Sequence, residues 1–196
     1  MKSKLADIAT ISSGIYPKVE PNGEVYLLVG SDFDRYGNGI PIRNRTAEVR
    51  ITAKNQKHQL FEDDILLVSK GSYNRACRYD HNMGPAMAST LFLVIRVDEE
   101  EVLYPRYLQW WLNSTQIQQQ LKRYSRGSKI PSISKKMISG LELPLPSLQK
   151  QKLIVEIDEC AKLENRLRLE LAGQRKLLIE NRLYEKTYEN RRNEKR

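Results

Sequence analysis

Hydrophobic positions along the chain change period near residue 104. Before it they fall in short, β-branched runs bounded by turn residues; after it they recur at three- and four-residue spacing. Residues 5–11 read as a short helix or a strand ending at Ser12-Ser13-Gly14. Residues 25–29, Val-Tyr-Leu-Leu-Val, read as a strand stopped by Gly30-Ser31. Tyr36-Gly37-Asn38-Gly39 reads as a turn, with Asn-Gly taking the positive φ. Ile65-Leu66-Leu67-Val68 and residues 91–97 lack polar alternation, so both are expected as strands buried on two faces. Pro105 suits the first turn of a helix, and the pattern predicts one helix through RYLQWWLNSTQIQQQLKRY. Tyr107, Leu108, Trp111 and Leu112 share one face of it, which makes the tryptophans packing residues rather than base-stacking platforms.

Residues 141–146 then read as an edge strand, where the missing donor of proline is harmless. From Ser147 the composition is helix-forming to the end, with one glycine and no proline. Ser147 with Lys150-Gln151 resembles a capping start, and Leu153, Ile157, Cys160, Leu167, Leu171 and Leu178 fall on an a/d seam. Glu164, Gln174 and Asn181 interrupt it. A helix of roughly 40 residues spans about 60 Å, too long to bury its stripe on one small domain. Pairing with a second helix is the expectation; folding back at Gly173 is the alternative. The predicted fold is α+β: a strand-rich globular domain over residues 1–146, followed by one long coiled-coil-forming helix over 147–196.

Composition narrows the class. The 196 residues are 40% hydrophobic and 29% charged, as for a chain with a real core. No apolar run approaches the roughly 18 residues that cross a bilayer. The first residues lack a secretory h-region, and Cys77 and Cys160 lack metal or redox spacing, so no membrane association and a cytoplasmic location are expected. The net charge is +9, from 33 basic and 24 acidic residues, and points to a polyanionic partner. Residues 1–146 carry 20 basic and 15 acidic side chains and residues 147–196 carry 13 and 9, so no basic tail accounts for the total.

Enzymatic chemistry finds little support. Ser132-Ile133-Ser134-Lys135 matches S-x-x-K without its S-D-N and K-T-G companions. Asp63-Asp64 precede a strand ending in Ser69-Lys70, but Val68 stands where a metal-dependent nuclease needs an acid. The two aspartates read better as turn acids. His58 and His81 are isolated, and the Gly-x-Gly at 37–39 lacks a following helix. No catalytic and no metal-binding residue is predicted. Basic residues gather instead in loops: Arg43, Arg45, Arg50, Lys54 and Lys57; Lys70, Arg75 and Arg78; and Lys122, Arg123, Arg126, Lys129, Lys135 and Lys136. Loop guanidiniums and hydroxyls suit phosphate contact, and Arg and Asn also read base edges. Three such clusters in one small domain make DNA binding the expectation.

Four segments in order resemble a specificity subunit of type I restriction–modification systems: LADIATISSG, the strand ending YLLVGS, FEDDILLVSKGS, and YPRYLQWWLNSTQIQQQLKRYSRGSKIPSISKKMISGLELPLPSLQKQKLIVEID. In the third, Asp63 stands where the family usually has glycine. The resemblance implies a target-recognition domain that reads a DNA half-site, followed by a spacer helix. Typical members carry two such units whose helices pair antiparallel; this chain has one. The expectation is therefore a half-size subunit that forms a homodimer through its helix and reads an inverted repeat in double-stranded DNA. The resemblance also implies a methyltransferase partner binding S-adenosylmethionine and, in some systems, a restriction subunit using ATP and Mg²⁺; no cofactor is expected on this chain. It places Ser31, Arg43, Arg45, Arg50, Lys54, Lys57, Lys70, Ser72, Asn74, Arg75, Arg126, Ser128, Lys129 and Lys135 toward DNA. The alternative is a truncated or decoy subunit that only docks a methyltransferase.

Overall fold

The computed structural model describes residues 2–43, 45–71, 73–124 and 132–193, with side chains of the last helix described to Thr187. Its strands and helices in chain order are β1 (Lys2–Lys4), β2 (Ala9–Ser13), β3 (Tyr26–Leu28), β4 (Ile65–Val68), β5 (Ala76–Arg78), β6 (Ala86–Ala88), β7 (Phe92–Val97), α1 (Pro105–Asn113), α2 (Thr115–Tyr124), α3 (Lys135–Ser139), β8 (Glu142–Pro144) and α4 (Leu148–Asn193). The architecture is α+β, as the periodicity predicts.

An antiparallel sheet of order β2-β7-β4-β5 organises the domain. Successive residues of its central strands serve two cores. Ile65, Leu67, Leu93 and Ile95 point into a cluster with Leu108, Trp111 and Leu112 of α1 and Ile117 and Leu121 of α2. Leu66, Phe92 and Val94 point the other way, against Leu28, Phe33, Tyr79, Met83 and the β6 alanines. Covering on both faces explains why residues 65–68 and 91–95 read as unbroken apolar runs. The cover on the second face includes the parallel pair β3–β6. A separate pair joins β1 to β8. There Pro144 sits on an edge, as expected, because β8 has one neighbour.

Two expectations change. The single helix from Pro105 is two helices, broken at Ser114, whose backbone is extended (φ −62°, ψ 147°). The Ser114 hydroxyl donates to the Trp111 carbonyl (2.7 Å) and the Gln118 amide to the Leu112 carbonyl (2.7 Å). These side chains satisfy carbonyls at the end of α1, which competes with continuing the helix. Both tryptophans pack, as expected: Trp111 is in the core and Trp110 stacks on Tyr107 at 5.4 Å. In the turn at 36–39 the positive φ falls on Gly37 (83°), not on Asn-Gly. Asp34 selects that geometry by accepting from the Tyr36 and Asn38 N–H groups (2.8 and 2.9 Å), and a Cβ at Gly37 would lie 2.4 Å from the Ala76 carbonyl oxygen.

The pair Asp63-Asp64 forms the entry to β4. Asp63 has φ 65°, a backbone region that favours glycine, and its carboxylate takes a 2.6 Å bond from Arg78. Asp64 is buried; it accepts from the Phe61 N–H (2.8 Å) and binds Arg96 through both oxygens (2.8 and 2.6 Å).

The compact unit runs from Met1 to Val155, and Glu156–Arg196 forms a second unit. The compact unit therefore includes the first turns of α4. The cause is Gln151, which is 0% exposed. Its Oε1 accepts from the Tyr104 N–H (2.9 Å), and its Nε2 donates to the Val102 and Pro146 carbonyls (2.9 and 3.0 Å). Val155 completes this seat in the core. Truncation of Gln151→Ala removes three side-chain bonds to backbone groups of Tyr104, Val102 and Pro146, an expected loss of about 2–3 kcal/mol in urea denaturation of the full chain; an unchanged midpoint would refute the seat.

Candidate nucleic-acid interface

The sequence places three basic clusters in loops, and the structure joins two of them. The loop after β4 and the segment before α3 pair antiparallel, Lys70 opposite Ser132, with the Ile133 N–H donating to the Ser69 carbonyl (2.8 Å). Ser134 then caps α3, its hydroxyl accepting from the Met137 N–H (3.3 Å), and Lys135 and Lys136 follow on the surface. Lys70 and Lys135, 65 positions apart in the chain, thus belong to adjoining surface segments. The S-x-x-K serine is a surface residue of the same pairing.

This region shares a feature legible in the sequence once the fold is known. From Val102 to Leu141 there is no aspartate or glutamate, while Arg106, Lys122, Arg123, Arg126, Lys129, Lys135 and Lys136 are all present. Residues 65–79, which supply the paired loop, also lack acids. A contrasting hollow of about 250 Å³ is lined by Glu62, Asp63, Asp64 and Glu100 beside Arg96 and Phe61, with the wrong charge for a phosphate backbone.

Three residues expected at DNA make internal bonds. Asn74 is 3% exposed; its amide donates to the Val68 carbonyl (2.9 Å), and its own carbonyl accepts from the Gln118 amide (2.8 Å). Arg75 turns inward to donate to the Asp34 carbonyl (2.8 Å). Arg45 is likewise committed, to Asp32 (3.0 Å) and the Leu27 carbonyl (3.2 Å), with its guanidinium over the Tyr26 ring. Arg50 lies 4.0 Å from Glu20 and is otherwise exposed. Ser31, Arg43, Lys54 and Lys57 are exposed. The Arg45–Lys57 stretch attaches through Val49 to Val19 and Val25, in a different core cluster from that of β4 and α2. Ser72, Arg126, Ser128 and Lys129 lie outside the described residues.

Side chains that sequence reasoning passes over hold the loop in place. The Asn113 amide both accepts from the Ala76 N–H (2.9 Å) and donates to the Ala76 carbonyl (2.8 Å), as a neighbouring strand would. Gln109 donates to the Gly37 carbonyl (3.1 Å). Tyr73 stands exposed at the tip of the loop so anchored. Burial pushes the nearby Cys77 thiol up to about 11.

Among the described residues, no group of three or more His, Cys, Asp or Glu side chains could hold a metal ion, and no helix is long and apolar enough to cross a membrane.

The fold has counterparts among solved structures. The fold matches an HsdS subunit from Thermoanaerobacter tengcongensis (TM-score 0.59, 16% identity, 84% of this chain and 37% of that one). It also matches a chain from a study of complex assembly and conformational transition in the type I R-M system (0.63, 17%, 89% and 41%) and the type I restriction-modification S subunit from M. genitalium (0.54, 15%, 84% and 40%). The chain spans about two fifths of the length of these structures. No curated protein matches. The family model described as the type I restriction modification DNA specificity domain matches residues 1–171, and the chain belongs to that family.

The division between anchor and surface residues is measurable. Asn74→Ala and Arg75→Ala each remove a side-chain bond to a backbone carbonyl, of Val68 and of Asp34, and should cost about 1–3 kcal/mol of stability. Lys70→Ala and Lys135→Ala should stay within about 0.5 kcal/mol of the unaltered protein. Equal stabilities across all four in urea titration would contradict the assignment.

Proposed function

We propose that this chain is a non-catalytic, sequence-specific DNA-binding subunit. It directs a partner methyltransferase, and a restriction subunit where one is present, to a bipartite palindromic target. S-adenosylmethionine and any ATP and Mg²⁺ belong to those partners. Membership in the DNA specificity family supports this reading. The observation that carries it is the pairing of Lys70 with Ser132, which brings together two distant segments that each bear cations and no acid. In this reading Lys70, Lys135 and Lys136 neutralise phosphates, Arg43, Arg50, Lys54 and Lys57 extend the electrostatic footprint, and the Ser31 hydroxyl donates to a phosphate oxygen. Asn74, Arg75 and Arg45 act by positioning.

The second half of the proposal is pairing of two copies through α4. The helix runs unbroken past Gly173 over 46 residues, about 69 Å. On its seam Ile157 is 61% and Leu171 66% exposed, and Leu153, Leu167 and Leu178 are exposed as well. Cys160 lies on the same seam and is exposed. The i,i+4 pairs Asp158–Lys162, Glu164–Arg168 and Lys176–Glu180 stabilise a single helix by only about 0.3–0.5 kcal/mol each. A partner helix covers the leucines that these pairs leave in water, and a two-fold pair of domains reads a two-fold site.

Sedimentation of the full chain should give a dimer at tens of micromolar, and the double change Leu167→Asp, Leu171→Asp should give a monomer. A monomer from the unaltered chain at high micromolar concentration would overturn the pairing. In DNA titrations, Lys70→Ala and Lys135→Ala should each lower the salt slope by about one; unchanged slopes would remove those lysines from the interface.

A further inference from the structure

We infer that α2 is the base-reading element of this domain, with Gln116, Gln119 and Arg123 presented to the major groove. The inference rests on the DNA-binding reading above and goes beyond its phosphate contacts.

The inner face of α2 is fully occupied. Ile117 and Leu121 are buried in the core, and the Gln118 amide donates to the Asn74 and Leu112 carbonyls. The outer face is defined by the same geometry: Gln116, Gln119 and Arg123 are exposed at i, i+3 and i+7, and so share one side of the helix. Together with Gln120 they line a shallow concavity of about 430 Å³. An exposed helix face in a soluble domain usually mixes acids with bases. Here the ten residues of α2 include no acid, and the acid-free stretch extends from Val102 to Leu141. A protein partner would be expected to meet aspartate or glutamate somewhere on such a surface; a polyanion would not tolerate them.

The residue types add what charge alone does not. Glutamine pairs bidentately with the N6/N7 edge of adenine, and arginine with the O6/N7 edge of guanine. Ten helical residues span about 15 Å, a length and diameter that the major groove admits. The Gln118–Asn74 bond fixes α2 to the loop that carries Lys70, so base-reading and phosphate-holding groups are referenced to one rigid base. The break at Ser114 separates α2 from α1 and lets α1 stay in the core while α2 presents its outer face.

The test is selection of binding sites from a pool of randomised duplexes by the full-length chain and by Gln119→Ala, Arg123→Ala and Arg123→Lys. All three changes are on the surface, and unaltered thermal unfolding confirms that each variant is folded. Each alanine variant should lose preference at one position of the selected motif by roughly 5- to 150-fold while keeping the others. Arg123→Lys should behave as Arg123→Ala, because lysine keeps the charge but lacks the two-pronged contact. A motif unchanged in all three variants would overturn the inference and leave DNA binding standing. Retention of the motif by Arg123→Lys, with uniformly weaker binding by Arg123→Ala, would reassign Arg123 to phosphate and overturn its base-reading role. Failure of the unaltered chain to enrich any sequence would overturn both this inference and the reading on which it rests.

Discussion

An edge strand leaves one side of its backbone without a partner, and here side-chain amides supply what is missing. Asn113 meets the N–H and carbonyl of Ala76, Gln118 meets the Asn74 carbonyl, and Arg75 reaches the Asp34 carbonyl. These bonds close the β5 edge against further strand addition. They also fix three things at once: the β4–β5 loop, the start of α2 and the turn at Gly37. With the Ile133–Ser69 bond, they set the position of the loop carrying Lys70. The candidate interface is therefore a consequence of how one sheet edge is satisfied.

The long helix answers a different constraint. Its first turns belong to the domain because Gln151 and Val155 bury there, and beyond Glu156 its leucines have no cover in a single chain. The globular part and the exposed length of the helix are thus separate units of the chain. Polar residues at Glu164, Gln174 and Asn181 interrupt its apolar seam.

The sheet and both helical regions were legible because period and burial are local properties of sequence. The runs 65–68 and 91–95 are apolar throughout because both of their faces are covered, and the α4 stripe persists over many turns. The Asp63-Asp64 pair was legible as a turn for a similar reason. The rest depended on partners far away in the chain. Nothing near Asn74 or Arg75 announces that Gln118 and Asp34, 44 and 41 positions distant, use them internally. A basic or amide residue in a loop looks the same whether it faces solvent or a carbonyl. The break at Ser114 was hidden because serine and glutamine fit a helix by composition and end one only through specific bonds. The acid-free stretch was visible in the sequence, but it acquires meaning only when the fold joins it to the loop after β4. Family resemblance carried the DNA assignment further than any single motif, because the order of the four segments is more specific than each of them.

The central claim is that this chain selects where a methyltransferase acts. The most direct measurement is the methylome of cells that carry the methyltransferase with and without this chain. The account predicts a two-part palindromic motif, methylated only when the chain is present and with a fixed non-specific spacer. The same methylation pattern with and without the chain would contradict it.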